Sequence, residues 1–385
     1  MNLKGKWRVG RVVLLAILIL AVSLLGFGCV KGLAPIGWSG GKVSDGTLFV
    51  GSREGRLVSI NLADESRLWG EPLKAVSQPG LFGCSPAMGG GGCGGASSGV
   101  AVYGTPVVDG ELVYIAGYNG KIYAYNTTSL GIRWVYPRES NLEPFVGGLL
   151  ASQGKLYIGG DDGKVYALDA ATGDSLWEFQ TGDKIWGTPA INGDTLYIGS
   201  FDKKLYALNA ADGSLKWEFT AEGSIIATPL VDNGVIYIGS FDRYMYALNA
   251  VDGSLKWKSI GKNWFWAEPV IVNDVLYAPC LDGNVYALKV ATGAEVTEYD
   301  LNAPVSSRPA VVDSTVIFAT RKGVVYSLAT GTGEILQLAD FEQDIDGPLT
   351  VYDGIVYIHT QDKLLQRINA VTGAVLRAVS LESKN

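Results

Sequence analysis

Residues 188–257 hold one unit written twice. Thr188 to Trp217 reads TPAINGDTLYIGSFDKKLYALNAADGSLKW, and Thr228 to Trp257 reads TPLVDNGVIYIGSFDRYMYALNAVDGSLKW. The two closing tryptophans lie 257 − 217 = 40 positions apart. A fixed period of this size means that each unit is one supersecondary element, able to bury its apolar surface only against its neighbours. That constraint outranks length. A chain of 385 residues would otherwise suggest about two or three domains, whereas a closed series of such units is one.

Within the unit, Leu196-Tyr197-Ile198 and Leu205-Tyr206-Ala207-Leu208 are short runs of strand formers. Ser200-Phe201-Asp202-Lys203 joins them, and Asn192-Gly193-Asp194 and Ala211-Asp212-Gly213 are turn signals on either side. Pro189 opens the first strand, where a missing N–H does least harm. The unit therefore predicts four short antiparallel strands, A to D, with Trp217 on D. Sheets of this kind, packed face to face in a ring, form a β-propeller. Further copies of the stretch from strand B to strand D run from Thr47 to Trp69, Glu111 to Trp134, Lys155 to Trp177, Val275 to Thr297, Thr315 to Gln337 and Ile355 to Arg377. The expected fold is all-β, an eight-bladed β-propeller of four-stranded antiparallel blades, with seven blades as the runner-up count. Trp69, Trp134, Trp177, Trp217 and Trp257 are expected to wedge between blades.

Ala167-Leu168-Asp169-Ala170-Ala171-Thr172-Gly173, followed by Trp177, resembles the repeat A-x-D-x-x-T-G-x-x-x-W of the tryptophan-docking propellers named after pyrroloquinoline quinone (PQQ). Ala207 to Trp217 and Ala247 to Trp257 match with Asn for Asp, while Ser59 to Trp69 and Ala124 to Trp134 match loosely. Thr297, Gln337 and Arg377 stand at the Trp position of the last three copies, so docking must differ there. Enzymes and scaffolds share this repeat, so it speaks for fold more than for function. Its quinone-dependent dehydrogenases carry an adjacent Cys-Cys pair and a calcium-bound quinone; no such dipeptide occurs here, and no cofactor is expected.

The chain begins with Lys4, Lys6, Arg8 and Arg11, and then runs without charge from Val12 to Val30. A basic start and an apolar run form an export signal. It ends Leu25-Gly26-Phe27-Gly28-Cys29, which resembles a bacterial lipobox, although Leu stands four rather than three places before the Cys. Lipidation at Cys29, an uncleaved membrane anchor and simple secretion all place the rest outside the cytoplasm. Residues 1–30 are thus a signal, lipoprotein or anchor segment, and 31–385 a single propeller. A Gly-rich insertion at 78–99 holds Cys84 and Cys93, expected to pair as a disulfide in an oxidising compartment.

Chemistry-bearing residues are sparse. A net charge of −7 and the lack of a basic stripe argue against nucleic acid. The one histidine, His359, falls on a strand and is expected to be structural. Cys280 aligns with Ser200 and Ser240 as a small packed residue. Asp162, Asp202, Asp242 and Asp282 recur beside a hairpin turn, which is turn chemistry. No catalytic, cofactor-binding or metal-binding residue is expected, and the protein is expected not to be an enzyme.

In a propeller the D-to-A loops and B-to-C turns share one face, and the A-to-B and C-to-D turns the other. The second set is short and polar. The first gathers Trp186, Phe201, Phe241, Arg243, Trp264, Phe265 and Trp266, side chains that binding hot spots use, and these are expected to meet a protein partner. Plugging of the central channel is the other use such tryptophans have. The repeat, the leader and the absent cofactor together resemble the BamB family of outer-membrane assembly lipoproteins. That resemblance implies a membrane-tethered, monomeric, non-enzymatic scaffold that binds an envelope protein partner through propeller loops. A quinone-dependent dehydrogenase and a ligand- or carbohydrate-sensing surface propeller are the other classes left open.

Overall fold

The computed structural model describes residues 37, 39–52, 54–73 and 100–382, all within one unit of the chain, residues 36–385. Residues 1–30 with Cys29, and the 78–99 insertion with Cys84 and Cys93, lie outside the described residues. Among those described there is no helix, and thus none long and apolar enough to cross a membrane.

Each repeat forms one four-stranded antiparallel sheet, and the eight sheets are the blades of a β-propeller. Blade 4 is representative: strand A is Ala190–Asn192, B is Thr195–Gly199, C is Lys204–Asn209 and D is Leu215–Thr220. Strands B and C read as continuous apolar runs because both of their faces are buried. Leu196, Ile198, Tyr206 and Leu208 pack against blade 3. Tyr197, Leu205 and Ala207 point the other way, into blade 5. Strand D lies at the rim, and its residues alternate between half-buried and exposed. The core is accordingly a circle of apolar clusters, one at each of the eight blade interfaces.

The docking tryptophans bind the next blade through one carbonyl. Trp134 Nε1 donates to the Ala170 oxygen (3.1 Å), Trp177 and Trp217 to those of Ala210 and Ala250 (3.3 Å each), and Trp257 to that of Val290 (2.9 Å). A strand B tyrosine uses the same acceptor: Tyr114 donates to Ala170 (3.0 Å), Tyr157 to Ala210 and Tyr197 to Ala250 (2.9 Å each). Both lone pairs of the carbonyl are thereby satisfied in a dry interface. The glycine of each turn is needed for the same contact. Gly253 has φ +72°, and a Cβ there would lie 2.5 Å from Cε3 of Trp217. A bulge aims the indole, for Ala207 pairs with Trp217 but Leu208 pairs with Leu215.

Blade 1 lacks that bulge. Its Val58 pairs with Trp69 and Ser59 with Leu68. A slip of one residue turns a side chain to the opposite face, so Trp69 packs with Val58 against blade 8 rather than blade 2. Arg67 lies 5.8 Å over its ring and donates to the Ser380 oxygen of blade 8 at 2.8 Å. At the same seam an ion pair stands where four other seams have Trp on Gly. Glu65 occupies the turn position of Gly213, also at positive φ, and meets Arg367 at 2.8 Å. Strand A of blade 1 (Gly41–Ser44) is tied to strand A of blade 8 (Thr350–Tyr352) by Gly41 N to Thr350 Oγ1 (3.1 Å) and Thr350 Oγ1 to the Gly41 oxygen (2.7 Å). The ring closes without exchanging strands between blades. In the remaining Trp-less blades, Tyr299 and Leu338 reach the matching turn glycines, Gly333 and Gly373.

If the indole–carbonyl contact holds the blades together, Trp217→Ala lowers the free energy of unfolding by about 3 kcal/mol. Gly253→Ala destabilises in the same direction, because its Cβ collides with Trp217. Denaturant midpoints of the two variants check both, and midpoints at the wild-type value would remove the contact from the account.

Candidate functional site

The loop face is built on a repeated aspartate. In the B-to-C turn of blade 4, Asp202 accepts the Lys204 amide (3.0 Å), the Tyr206 hydroxyl (2.6 Å) and the Gly182 amide of the preceding D-to-A loop (2.7 Å). Asp242 does the same with Tyr244 N, Tyr246 and Glu222 N, and Asp282 with Asn284 N, Tyr286 and Lys262 N. Asp162 takes the Lys164 amide and the Tyr166 hydroxyl. These carboxylates fix turn to loop. Among the described residues no cluster of His, Cys, Asp or Glu is arranged to hold a metal.

Phe201 and Phe241 immediately precede two of these aspartates, and the turn lifts their rings onto the face. There five aromatic side chains from blades 4 to 6 and their connecting loops form one contiguous terrace. Trp186 meets Phe201 edge-on with ring centroids 4.8 Å apart, and Phe201 meets Phe241 at 6.2 Å. Phe241 stacks on Trp264 at 4.2 Å and 12°, and lies 5.8 Å from Trp266. Trp266 returns to Trp186 at 6.4 Å. Lys184 Nζ sits 4.8 Å from the Trp186 ring and 4.7 Å from that of Phe201, a cation–π arrangement. Trp186 is held by its Nε1, which donates to Asp161 Oδ1 at 2.6 Å. Burial raises the Asp161 pKa, and the indole hydrogen bond pulls it back.

Of the seven residues expected on this face, Trp186, Phe201, Phe241, Trp264 and Trp266 come together. Trp264 stands out most, 42% exposed. Arg243 is exposed on the same turn as Phe241, in the left-handed region at φ 75°, a conformation costing a non-glycine residue roughly 1–2 kcal/mol. Lys203 occupies the equivalent place after Phe201 at the same angle. Phe265 does not belong to the surface. It is 1% exposed and packs edge-on against Tyr286 at 5.5 Å, inside the interface of blades 5 and 6. The reason is visible in the repeat: the matching residues Phe145, Ile185, Ile225, Val305 and Ile345 are apolar in every one of these copies and all are buried. The two flanking tryptophans obscure that register.

Trp186 and Trp266 also reach inward. They line the central channel, a cavity of about 970 Å³ walled by the A strands of all eight blades. On the wall of blades 6 to 8 the channel turns polar. Glu268 Oε2 lies 3.4 Å from Arg308 Nε, and Asp346 Oδ1 takes Arg321 Nε (2.9 Å) and Ser306 Oγ (3.1 Å). Burial pushes the Glu268 carboxyl up to about 7, against the pull of Arg308. Sequence reasoning misses these residues, although Glu268-Pro269 and Arg308-Pro309 break the Thr-Pro pattern of Thr188-Pro189 and Thr228-Pro229. His359 is on strand B of blade 8, its Nδ1 3.0 Å from the Ser39 oxygen. Cys280 is fully buried, and burial pushes its thiol up to about 12.

Fold and face together define a tryptophan-docked, eight-bladed propeller with an aromatic loop face. Within that class the chain belongs to the family described as outer membrane protein assembly factor BamB, whose profile matches residues 33–180, 161–304 and 281–377. In three dimensions it is similar to BamB from Moraxella catarrhalis, with a TM-score of 0.67 at 18% identity, over 86% of this chain and 93% of that one. It is also similar in fold to a computationally designed protein, Ika8, with a TM-score of 0.70 at 13% identity over 86% and 96%. Two curated relatives match over short stretches. The quinoprotein alcohol dehydrogenase PedH of Pseudomonas putida is 43% identical over 53 residues, 14% of this chain and 9% of that protein. The quinohemoprotein alcohol dehydrogenase of Comamonas testosteroni is 32% identical over 97 residues, 23% and 14% respectively. The chain thus spans a small part of the length of these enzymes.

Two outcomes are expected in this region. Phe265→Ala costs about 3–5 kcal/mol of stability, as for other buried aromatics, whereas Trp264→Ala leaves the thermal midpoint nearly unchanged; parallel melts decide. For Glu268 the folded pKa is raised above its ordinary value of 4.5 to about 7. The stabilisation linked to its proton is therefore complete at low pH and lost as pH rises through about 7. Between about pH 5 and about pH 8 the wild type should lose stability relative to Glu268→Gln, read from unfolding midpoints across that range. Parallel pH profiles would contradict the shift.

Proposed function

We propose that this protein is a non-enzymatic scaffold of the cell envelope, tethered to a membrane by its N-terminus and binding an envelope protein through the loop face. The observation that carries this is the aromatic terrace. Four of its five rings are only half-buried and Trp264 is exposed, although the blades close their cores without them. Contiguous apolar surface of this kind marks an interaction site, and tryptophan with arginine nearby is a composition enriched in binding hot spots. Membership of the BamB family supports an assembly role at an outer membrane. The opposite face is made of short polar turns, with single exposed valines at Val251 and Val371.

The short likeness to quinoprotein dehydrogenases supports a second reading, a quinone-dependent oxidoreductase. Reconstitution with pyrroloquinoline quinone and calcium, followed by dye reduction with alcohols, separates the two. The scaffold reading expects no turnover above the apoprotein.

Phe241→Ala combined with Trp264→Ala should abolish co-purification of the partner after cross-linking in the native envelope, with the melting temperature within a degree or two of wild type, since each anchor contributes roughly 2–4 kcal/mol to an interface. Retention of the partner by this folded double variant would move the interface elsewhere. For the tether, metabolic labelling with a fatty-acid analogue should mark the wild type and not Cys29→Ser. A chain unlabelled and still beginning at residue 1 would instead be held by an uncleaved anchor.

A further inference from the structure

The central channel differs from the outer terrace in its chemistry. Before strand A of blade 6 (Val270–Val272), Trp266 and then Glu268 line the cavity, as Ser306 and then Arg308 do before strand A of blade 7 (Ala310–Val312). Trp266 and Glu268 are two positions apart, so an aromatic ring and a carboxylate–guanidinium pair line the same wall. The Glu268 side chain is 13% exposed. Among the described residues its carboxylate makes no polar contact besides the 3.4 Å approach to Arg308. A largely buried carboxylate with one distant partner is under-satisfied, which is costly unless something else bonds to it. The Arg308 side chain is 51% exposed and lines the cavity. Thr188 and Thr228 add hydroxyls at the same level.

We propose that the channel is a binding site for a short neutral oligosaccharide, stacked on Trp266 and Trp186 and hydrogen-bonded by Glu268 and Arg308. Three features select this class. The volume of about 970 Å³ lies at the upper end of small-molecule sites, roughly 300–1,000 Å³, and suits a few sugar rings rather than one. The charges on this wall are paired, Glu268 with Arg308 and Asp346 with Arg321, so the site offers donors and acceptors side by side and little net field. Sugar hydroxyls use both, whereas a polycarboxylate such as pyrroloquinoline quinone would find each of these arginines already paired with an acid. The indole faces supply the apolar platform that the C–H face of a pyranose ring needs. With its carboxyl held up to about 7 by burial, Glu268 serves hydroxyls as acceptor or as donor. The site shares Trp186 and Trp266 with the aromatic terrace but uses neither Phe241 nor Trp264, and it does not rest on the scaffold reading.

Isothermal titration of the purified full-length protein with cellobiose, maltotriose and N,N′-diacetylchitobiose tests the proposal, with tryptophan emission recorded alongside. At least one sugar should bind saturably and shift the emission. Binding should weaken at least about tenfold in Trp266→Ala and in Glu268→Gln, and be unchanged in Trp264→Ala. Glu268→Gln preserves shape and carries the test should Trp266→Ala misfold. Silence from all three sugars, binding undiminished in the channel variants, or saturable binding of pyrroloquinoline quinone alone would each overturn it.

Discussion

A backbone carbonyl shared by an indole and a phenol from the preceding blade, found at three successive seams, is the contact on which this part of the ring depends. Ala170, Ala210 and Ala250 each accept from both a tryptophan and a tyrosine. An isolated hydrogen bond of this kind contributes only about 1 kcal/mol, but leaving an acceptor dry and unmade costs more. Burial raises the phenols of Tyr114, Tyr157 and Tyr197, that of Tyr114 to about 12, so they remain donors across the physiological range. The turn glycine, the strand bulge and the tryptophan form one device: the bulge aims the ring, and the glycine makes room for it. Where the device fails, something else of the right reach replaces it, Tyr299, Leu338 or the Arg367–Glu65 pair. The last lies at the seam between the chain's first and last blades, where Trp69 has turned round to help.

Because blade contacts carry the fold, the loops of one face are released from structural duty. The repeated aspartates hold those loops in place with backbone hydrogen bonds, and the residues beside them vary from copy to copy. At the position of Phe201 and Phe241, blades 3, 6, 7 and 8 carry Asp161, Leu281, Arg321 and Gln361. The aromatic terrace is therefore a local specialisation of blades 4 to 6, and the polar channel wall a second one of blades 6 to 8. A repeat architecture permits both, since each blade tolerates substitution at its ends as long as its faces still match its neighbours.

Most of the fold is legible in the sequence. The period of 40, the strand formers and the turn residues of each copy specify eight blades of four strands, because local propensity and nearest-neighbour packing determine both. Register is harder. The side Trp69 faces depends on a bulge, and Ser59 to Trp69 has the same spacing as Ala167 to Trp177 with a different pairing. Phe265 reads as surface because an aromatic triplet looks like one patch, whereas its place in the repeat is the buried one held by Ile185, Ile225, Val305 and Ile345. The channel wall escapes the sequence for a different reason: residues 268, 308 and 346 are scattered along the chain and meet only when the ring brings three blades round to one wall.

The central claim is that the two faces of this ring are functionally unequal. A photoreactive residue placed at 264 on the aromatic face, or at 251 on the opposite face, tests it within living cells. Val251, in the C-to-D turn of blade 5, is 82% exposed and Trp264, in the loop between blades 5 and 6, 42%, so accessibility alone would favour position 251. The account predicts a discrete protein adduct from position 264 on illumination and none from 251. An adduct from 251 alone, or none from either, would contradict it.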